Sequence, residues 1–419
     1  MHHKGKSYLM NIIRRLRIPS FLLLVLAIEF LDETIFGASE AAWPLIRDDL
    51  GLNYAQIGIL LSLPAIFANL LEPVLAIISD HWGRPSRVST RLLIILFGGI
   101  FYAISLLLTA TSRSYLSLLI SFMIFFPASG AFVSLSQAAL MDTDPERREQ
   151  NMARWSFAGS SGVVIGPFAL AGAVLLGIGW RGLYLVLAVW TLILIMPVFR
   201  VLHRPIQESS GEVQFHRALI VGFRNAFDAL KQKEVQFWLV LLEFSDLMLD
   251  VLIGFLALYF VDVVNVSPQQ ASLAVGVWSI VGLLGDLLLI PLLERVSGLV
   301  YLRVSALLEL VLYAAFLLVP AWEIKLAILA LLGFFNSGWY AILQAQLFNA
   351  LPGRSGVALA VKNLSGLIAG LLPMLLGWLA QEYNLQATMW VLIAGPVALL
   401  IGLLWKGRGA FSEGDNERD

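Results

Sequence analysis

Apolar positions along this chain come in long runs rather than in alternation. A helix crossing a bilayer needs roughly 20 mostly apolar residues. Runs of that kind occupy 19–46, 54–79, 88–111, 115–141, 155–177, 182–201, 235–261, 269–293, 301–321, 326–349, 363–381 and 387–405. They are rich in Leu, Ile, Val, Ala and Phe and lack the period-2 alternation of a membrane β-barrel. Most connections are short, so successive helices are expected to be antiparallel neighbours. The exception is the polar stretch from Val201 to Glu234, which divides the runs into two sets of six. The pattern predicts an all-α integral membrane protein with twelve transmembrane helices as two pseudo-symmetric six-helix bundles. Residues 1–200 and 235–405 form the bundles, 201–234 the linker and 406–419 a tail.

Composition strengthens this picture. Of 419 residues, 59% are hydrophobic and 14% charged, with a mean hydropathy of +0.82. Soluble domains carry about 25% charged residues, so a soluble enzyme, a nucleic-acid binder, a disordered chain and a disulfide scaffold are all poor fits. A net charge of -1 implies no polyanionic partner. The absence of cysteine excludes disulfides, thiolate metal sites and cysteine nucleophiles. With the N-terminus inside, only Arg47, Arg113, Arg181 and Lys325 fall in outside loops, and every other Lys and Arg lies in inside loops, tails or inner helix ends. This is the positive-inside pattern, and it puts both termini in the cytoplasm. The basic start (Lys4, Lys6, Arg14, Arg15, Arg17) resembles a signal peptide, but the run behind it carries four acids and no small-residue cleavage site, so an uncleaved first span is expected. In the linker, Phe215, Leu219, Gly222, Phe223, Phe227 and Leu230 recur at helical spacing with Arg217, Arg224, Lys231 and Lys233 between them. That spacing fits an amphipathic helix on the inner membrane surface, or else a soluble linker helix.

A shift of 214 residues lays the second half on the first. Glu29-Phe30-Leu31-Asp32 then falls on Glu243-Phe244-Ser245-Asp246, Gln56 on Gln270, Glu72 on Asp286 and Asp80 on Glu294. Apolar matches would follow from composition alone, whereas acids matching at four membrane or membrane-edge positions would not. Ser129-Gly130-Ala131 also resembles Ser337-Gly338-Trp339 after a small change of register. A parallel repeat of six helices is a transporter architecture, with substrate bound between the halves near the midplane.

The loop after the second run reads Ala76-Ile77-Ile78-Ser79-Asp80-His81-Trp82-Gly83-Arg84-Pro85-Ser86-Arg87. It resembles the cytoplasmic signature of the major facilitator superfamily, G-x-x-x-D-[RK]-x-G-[RK]-[RK]. Asp80, Gly83 and Arg84 match; Ala76, His81 and Pro85 depart from it, and Arg87 restores a charge. Gly162-Val163-Val164-Ile165-Gly166-Pro167 resembles the G-x-x-x-G-P motif of that superfamily's exporters, and Gly179-Trp180-Arg181 its usual entry to the sixth span. The resemblance implies alternating access, with Asp80, Gly83, Arg84 and Arg87 as an inner gate and conformational switch. Read without it, the arginines are topology charges, and Gly162, Gly166 and Pro167 are helix packing and a bend.

Acids inside the spans carry the candidate chemistry. Each costs roughly 2.5–3.5 kcal/mol to insert, so exposure of either acid-bearing helix to lipid would cost on the order of ten kcal/mol. At about 100° per residue, Glu29, Glu33 and Glu40 share one face of the first span with Asp32 to one side, and Glu243, Asp246 and Asp250 share one face of the seventh. Such stripes would face each other across the substrate path. Glu40 lies near the outer mouth, either solvated or part of the stripe; Glu72 and Asp286 are equally open to structural or coupling roles, and Glu309 has no assigned role. No basic residue falls in the middle of any run, and Leu116 to Met141 carries no charge at all. Partners are therefore protons, water, polar groups such as Asn336, Gln344 and Asn363, or a cationic substrate, or else the acids are structural carboxyls bonded across helices. Clustered, desolvated carboxyls favour the neutral form, as a proton-coupled carrier requires.

Other chemistry is absent from the sequence. All five histidines lie in cytoplasmic segments, no recognised metal-ligand motif occurs, and no P-loop pattern supports ATP-driven transport. Trp278, Trp339 and Tyr340 line a cavity or pack between helices. The reading is a non-enzymatic secondary transporter without cofactors, driven by the proton gradient. It exports a cationic or amphipathic small molecule, and it is expected as a monomer in a prokaryotic inner membrane. Glu29, Asp32, Glu33, Glu243, Asp246 and Asp250 are the proton- or substrate-binding candidates. A proton-coupled nutrient importer, a lipid-handling carrier and a non-transporting sensor or scaffold remain as alternatives.

Overall fold

The computed structural model describes residues 20–81, 90–143, 148–201, 224, 227–351 and 355–415. They form twelve transmembrane helices. The first three are α1 (Ser20–Leu50), α2 (Tyr54–His81) and α3 (Thr90–Thr111). α4 runs as Tyr115–Ser129, a π-helical turn Gly130–Ser134, and Leu135–Thr143. α5 (Arg148–Leu175) and α6 (Gly179–Val201) complete the first half. α7 is Lys233–Asp246, a π-helical turn Leu247–Val251, and Leu252–Asp262; α8 is Pro268–Leu293 and α9 Gly298–Leu318. α10 is broken into Trp322–Phe335 and Trp339–Ala350, and α11 into Ser355–Ala369 and Leu372–Glu382. α12 comprises Leu385–Met389, a 3-10 turn Trp390–Ile393, and Ala394–Asp415.

The turn chemistry follows the sequence. Ser114 and Ser117 close a capping box at the start of α4, and Ser267 and Gln270 do the same for α8, whose first residue is Pro268. Ten helical segments are long and apolar enough to cross a membrane by composition alone. The two that complete the set, α1 and α7, are those interrupted by acids.

Two expectations shift. α12 continues past Trp405 to Asp415, so much of the expected tail is helical. Lys325, read as an outside-loop cation, is buried at the start of α10, where its ammonium donates to the Tyr259 hydroxyl (2.8 Å) and the Phe316 carbonyl. Of the linker helix, residues 224 and 227–233 are described: 224 and 227–230 are helical, Lys231 and Gln232 form a turn, and Lys233 begins α7; Phe215, Arg217, Leu219, Gly222 and Phe223 lie outside the described residues.

Large apolar side chains point outward from α3, α6 and α9, among them Phe97, Phe101, Val189, Ile193, Val304 and Val311. In water such a surface would drive aggregation; in hydrocarbon it is the expected solvent-facing side. α1 is wrapped on the inside of its half by α5, the most intimate pairing in the molecule. Its closeness comes from glycine. A Cβ at Gly162 would lie 2.5 Å from the Phe30 carbonyl oxygen, one at Gly166 2.4 Å from the Ala38 amide, and one at Gly37 2.4 Å from the Val163 carbonyl. The backbones touch, and Pro167 packs against Gly37 in the same contact. The Gly162–Gly166–Pro167 motif is a helix-packing device here.

The halves meet along α1 with α7 and α8, α2 with α11, and α5 with α8. Among the described residues, polar ties between them gather at the end that the charge pattern puts outside. Arg47 of α1 pairs with Asp262 of α7, and the Tyr54 hydroxyl of α2 donates to the same carboxylate. The Tyr54 amide donates to Gln381 of α11 (3.2 Å), and the Met374 amide to the Ser62 hydroxyl (2.9 Å). Gly58 and Gly377 allow this approach: a Cβ on Gly377 would lie 2.5 Å from the Tyr54 carbonyl oxygen.

Asp262 accepts from two donors across the halves, so Asp262→Asn should loosen this closure. Hydrogen bonds to charged groups contribute about 1.5–3 kcal/mol, so the separated population should grow on the order of tenfold or more. The chain has no cysteine, so spin labels at Asn53→Cys and Tyr383→Cys report the distance cleanly. An unchanged distance distribution would show that the Arg47–Asp262–Tyr54 cluster does not hold these ends together.

Candidate functional site

Between the halves lies a cavity of about 290 Å³. α5 contributes Ser160 and Val163, α7 Leu249, α8 Trp278, Gly282 and Asp286, and α10 Asn336, Gly338 and Tyr340. The break in α10 shapes it. Gly338 adopts φ +74°, in the left-handed region that favours glycine, and a Cβ there would fall 1.9 Å from Leu289 Cδ2. Non-helical backbone at membrane depth needs partners for its freed polar groups. Tyr301 of α9 supplies one, donating to the carbonyls of Phe335 (3.2 Å) and Ser337 (3.0 Å), while Asn336 donates to the Met248 carbonyl (3.2 Å). The Asp286 carboxylate lies beside the Gly338 backbone.

The first half repeats the arrangement in altered form. α4 has its π-helical turn at Gly130–Ser134, and a Cβ on Gly130 would lie 2.5 Å from Glu72 Cγ. Thus the repeat mates Glu72 and Asp286 each sit on the Ser-Gly step that distorts the neighbouring helix, Ser129-Gly130 and Ser337-Gly338. Asp286 faces the interface cavity and belongs with the site residues, although the sequence left it between a structural and a coupling role.

The acids of α1 do not form one open stripe. Asp32 turns into its own half and accepts from Tyr102 of α3 (2.6 Å) and Ser129 of α4 (2.9 Å). Glu29 and Glu33 lie against Gly159 of α5, where a Cβ would meet Glu29 Oε1 at 2.6 Å and Glu33 Cγ at 3.3 Å. Glu33 is also within electrostatic reach of Asp250 of α7 across the interface. Glu40 is not solvated at an outer mouth. It is 7% exposed, among Trp43, Phe122, Phe125 and Tyr184, and also within electrostatic reach of Asp250.

In α7, Glu243 accepts from the Ser365 hydroxyl of α11. Asp246 immediately precedes the π-helical turn and Asp250 lies within it. A π turn winds less per residue than an α turn, so Asp250 is rotated away from the direction that an unbroken helix gives. Asp250 is exposed rather than packed.

The acids also have a cation that the run boundaries hid. Lys362 lies within α11, not before it, and acts electrostatically on Glu243, Asp246 and Asp250. Its ammonium contacts the Tyr340 hydroxyl and sits 4.1 Å from the centre of that ring. The available signal was a lysine one residue from a span boundary good only to a few residues. Glu309 of α9 is fully buried with neither carboxyl oxygen hydrogen-bonded among the described residues. For the expected inner gate, Asp80 falls in the α2 backbone, its side chain outside the described residues, as are Gly83, Arg84 and Arg87 altogether.

Gly338→Ala should cost about 1–3 kcal/mol of stability, from backbone strain at positive φ and the clash with Leu289. Gly130→Ala, at a helical φ of -52° and opposed only by the Glu72 side chain, should cost clearly less. Thermal unfolding of the purified variants tests this; equal losses would show that the left-handed turn does not set the break in α10.

The sequence profile described as Major Facilitator Superfamily matches residues 22–372. Among curated protein sequences none matches. The fold is similar to a bacterial homologue of the human lysosomal transporter Spinster, solved inward-facing and occupied. The TM-score is 0.70 at 16% identity, over 93% of this chain and 96% of that one. It is equally similar to the nucleoside transporter NupG, with a TM-score of 0.71 at 14% identity over 92% of this chain and 98% of that one. With a family match over most of its length, two six-helix halves and a cavity between them, the chain belongs to the Major Facilitator Superfamily of membrane transporters.

Proposed function

We propose that this transporter is a proton-coupled exporter of a cationic or amphipathic small molecule, working by alternating access in a prokaryotic inner membrane as a monomer. Residues 1–200 and 235–405 are its two moving bodies, joined by 201–234, with both termini, including the tail 406–419, in the cytoplasm. The observation that carries the reading is that carboxyls of the two halves lie within electrostatic reach of each other, Glu33 of α1 and Asp250 of α7. Motion of the halves necessarily changes the separation of these two groups, and with it their repulsion, so proton occupancy and conformation are linked. Asp246 and Glu243 extend the acidic surface on α7, and Lys362 sets its baseline charge.

In the cycle, the closed ends around Arg47, Asp262 and Tyr54 face outside. A cation entering from the cytoplasm reaches the cavity lined by Trp278, Tyr340 and Asp286, where ring faces and carboxylates favour positive charge. Its binding displaces protons from the acids, and opening of the outer ends exchanges it for protons from outside. The G-x-x-x-G-P motif at Gly162–Pro167, common in exporters, supports the outward direction; a proton symporter would use the same carboxyls in reverse.

The test is proton release from purified protein in nanodiscs while cationic, neutral and anionic compounds are titrated in. Release should accompany cations only and fall at least several-fold in Glu33→Gln and in Asp250→Asn. In Lys362→Gln, cation affinity at pH 8 should rise about tenfold, because one repelling neighbour charge is removed. Cation binding without proton release, or release unaltered in both acid variants, would reject the coupling assignment.

A further inference from the structure

The two halves differ in one respect that their sequence repeat does not anticipate. In the first half, Gly162 and Gly166 of α5 draw that helix onto α1 until the backbones touch. α11 has a glycine pair at the same spacing, Gly366 and Gly370, but it faces the other half. A Cβ on Gly366 would lie 3.3 Å from Asn69 Nδ2 of α2, and one on Gly370 2.9 Å from Ile66 Cγ1. α11 is therefore held against α2 and stands off from α7, the counterpart of α1 in its own half. The gap is a cavity of about 520 Å³. Its walls are aliphatic, with Val240 and Leu247 from α7 and Leu364 and Ile368 from α11. Its polar residues are Glu243 and Ser365, hydrogen-bonded to each other, and Gln236, whose amide donates to the Leu230 carbonyl (2.8 Å). Val240 and Ile368 at the rim are 52% and 75% exposed, so the cavity is open along its side.

The geometry points to this gap as the binding site for the alkyl chain of a single-chain amphiphile whose cationic head sits at Glu243. Two features select that occupant. The walls offer no hydrogen-bond partners along most of their length, so an apolar chain fits and a sugar or nucleobase does not. Glu243 is the one carboxylate in the lining, and Asp246 lies within electrostatic reach on the same helix, so a positive head is matched while a carboxylate or phosphate head is repelled. Ser365 would release Glu243 when the head arrives. The assignment rests on the reading of the chain as a carrier of amphipathic cations and gives that substrate class its position: head on the acids, chain between α7 and α11.

The experiment measures binding in nanodiscs, corrected with empty nanodiscs, for tetramethylammonium and for butyl-, octyl- and dodecyl-trimethylammonium. Neutral n-alkanols of the same lengths run alongside. For the native protein, affinity should rise about fourfold per methylene, the value for a fully buried group, until the cavity is filled. Val240→Trp, which fills the gap from its rim, should flatten the dependence below twofold per methylene and leave tetramethylammonium binding unchanged. Glu243→Gln should weaken every ammonium probe by a similar factor and leave the dependence on chain length intact. A dependence as steep in Val240→Trp as in the native protein would overturn the assignment. If the ammonium compounds bind and release protons without a Val240-sensitive chain effect, the cavity is wrong and the carrier reading survives. If no ammonium compound binds but the alkanols show the Val240-sensitive slope, the alkyl site stands and the cation reading falls.

Discussion

A carboxylate in hydrocarbon is expensive, and α1 and α7 each carry several. Neither helix can present its acid-bearing face to lipid, so each must be enclosed by other helices or by its counterpart in the other half. This constraint organises the molecule. The apolar helices α3, α6 and α9 take the outside; α1 and α7 take the inside; and the two halves close around the space between them. α5 seals α1 by backbone contact at its glycines, and Tyr102 and Ser129 hold Asp32 within the first half. In the second half the same need is met differently, with Lys362 placed among the acids and Ser365 on Glu243.

The repeat is preserved where helices must bend and lost where they need only pack. Glu72 on Gly130 and Asp286 on Gly338 are one arrangement made twice, an acid of the second helix of each half set against a Ser-Gly step in the fourth. The distortions themselves differ: a π-helical turn in α4, an open break with a left-handed residue in α10. Only the second exposes enough backbone to need Tyr301 as a substitute donor, and only there does the acid reach the interface cavity. A symmetric sequence thus produces an asymmetric site. The glycine pairs of α5 and α11 carry the asymmetry further, because one faces inward to its own half and the other faces across to α2.

Membership of the Major Facilitator Superfamily explains the scaffold and leaves the cargo to particular side chains. The two similar structures, a Spinster homologue and a nucleoside transporter, match this chain about equally well at low identity. A fold shared that widely positions a cavity without specifying its lining. What distinguishes this chain is the lining itself: Asp286, Trp278 and Tyr340 in the interface cavity, Lys362 against Tyr340, and an aliphatic gap beside Glu243.

The span count, the halves and the repeat were legible in the sequence because they depend on properties summed over about 20 residues, which neighbouring side chains cannot disguise. The acids were legible as candidates for the same reason: a charge in an apolar run stands out whatever surrounds it. Their arrangement was not. Period-3.6 reasoning placed Asp250 in line with Glu243, but the π-helical turn rotated it; Glu40 was left between a solvated outer mouth and the acidic stripe, and aromatic groups from α1, α4 and α6 buried it. Lys362 was missed because a boundary error of one or two residues moves a charge from loop to membrane. Which glycine pair closes a half and which joins the two halves depends on what stands opposite. Sequence by itself determined how many helices cross and where charge enters the membrane. Only tertiary structure decided which groups meet, because contacts between helices depend on rotation about their axes, and a single added residue per turn is enough to change that.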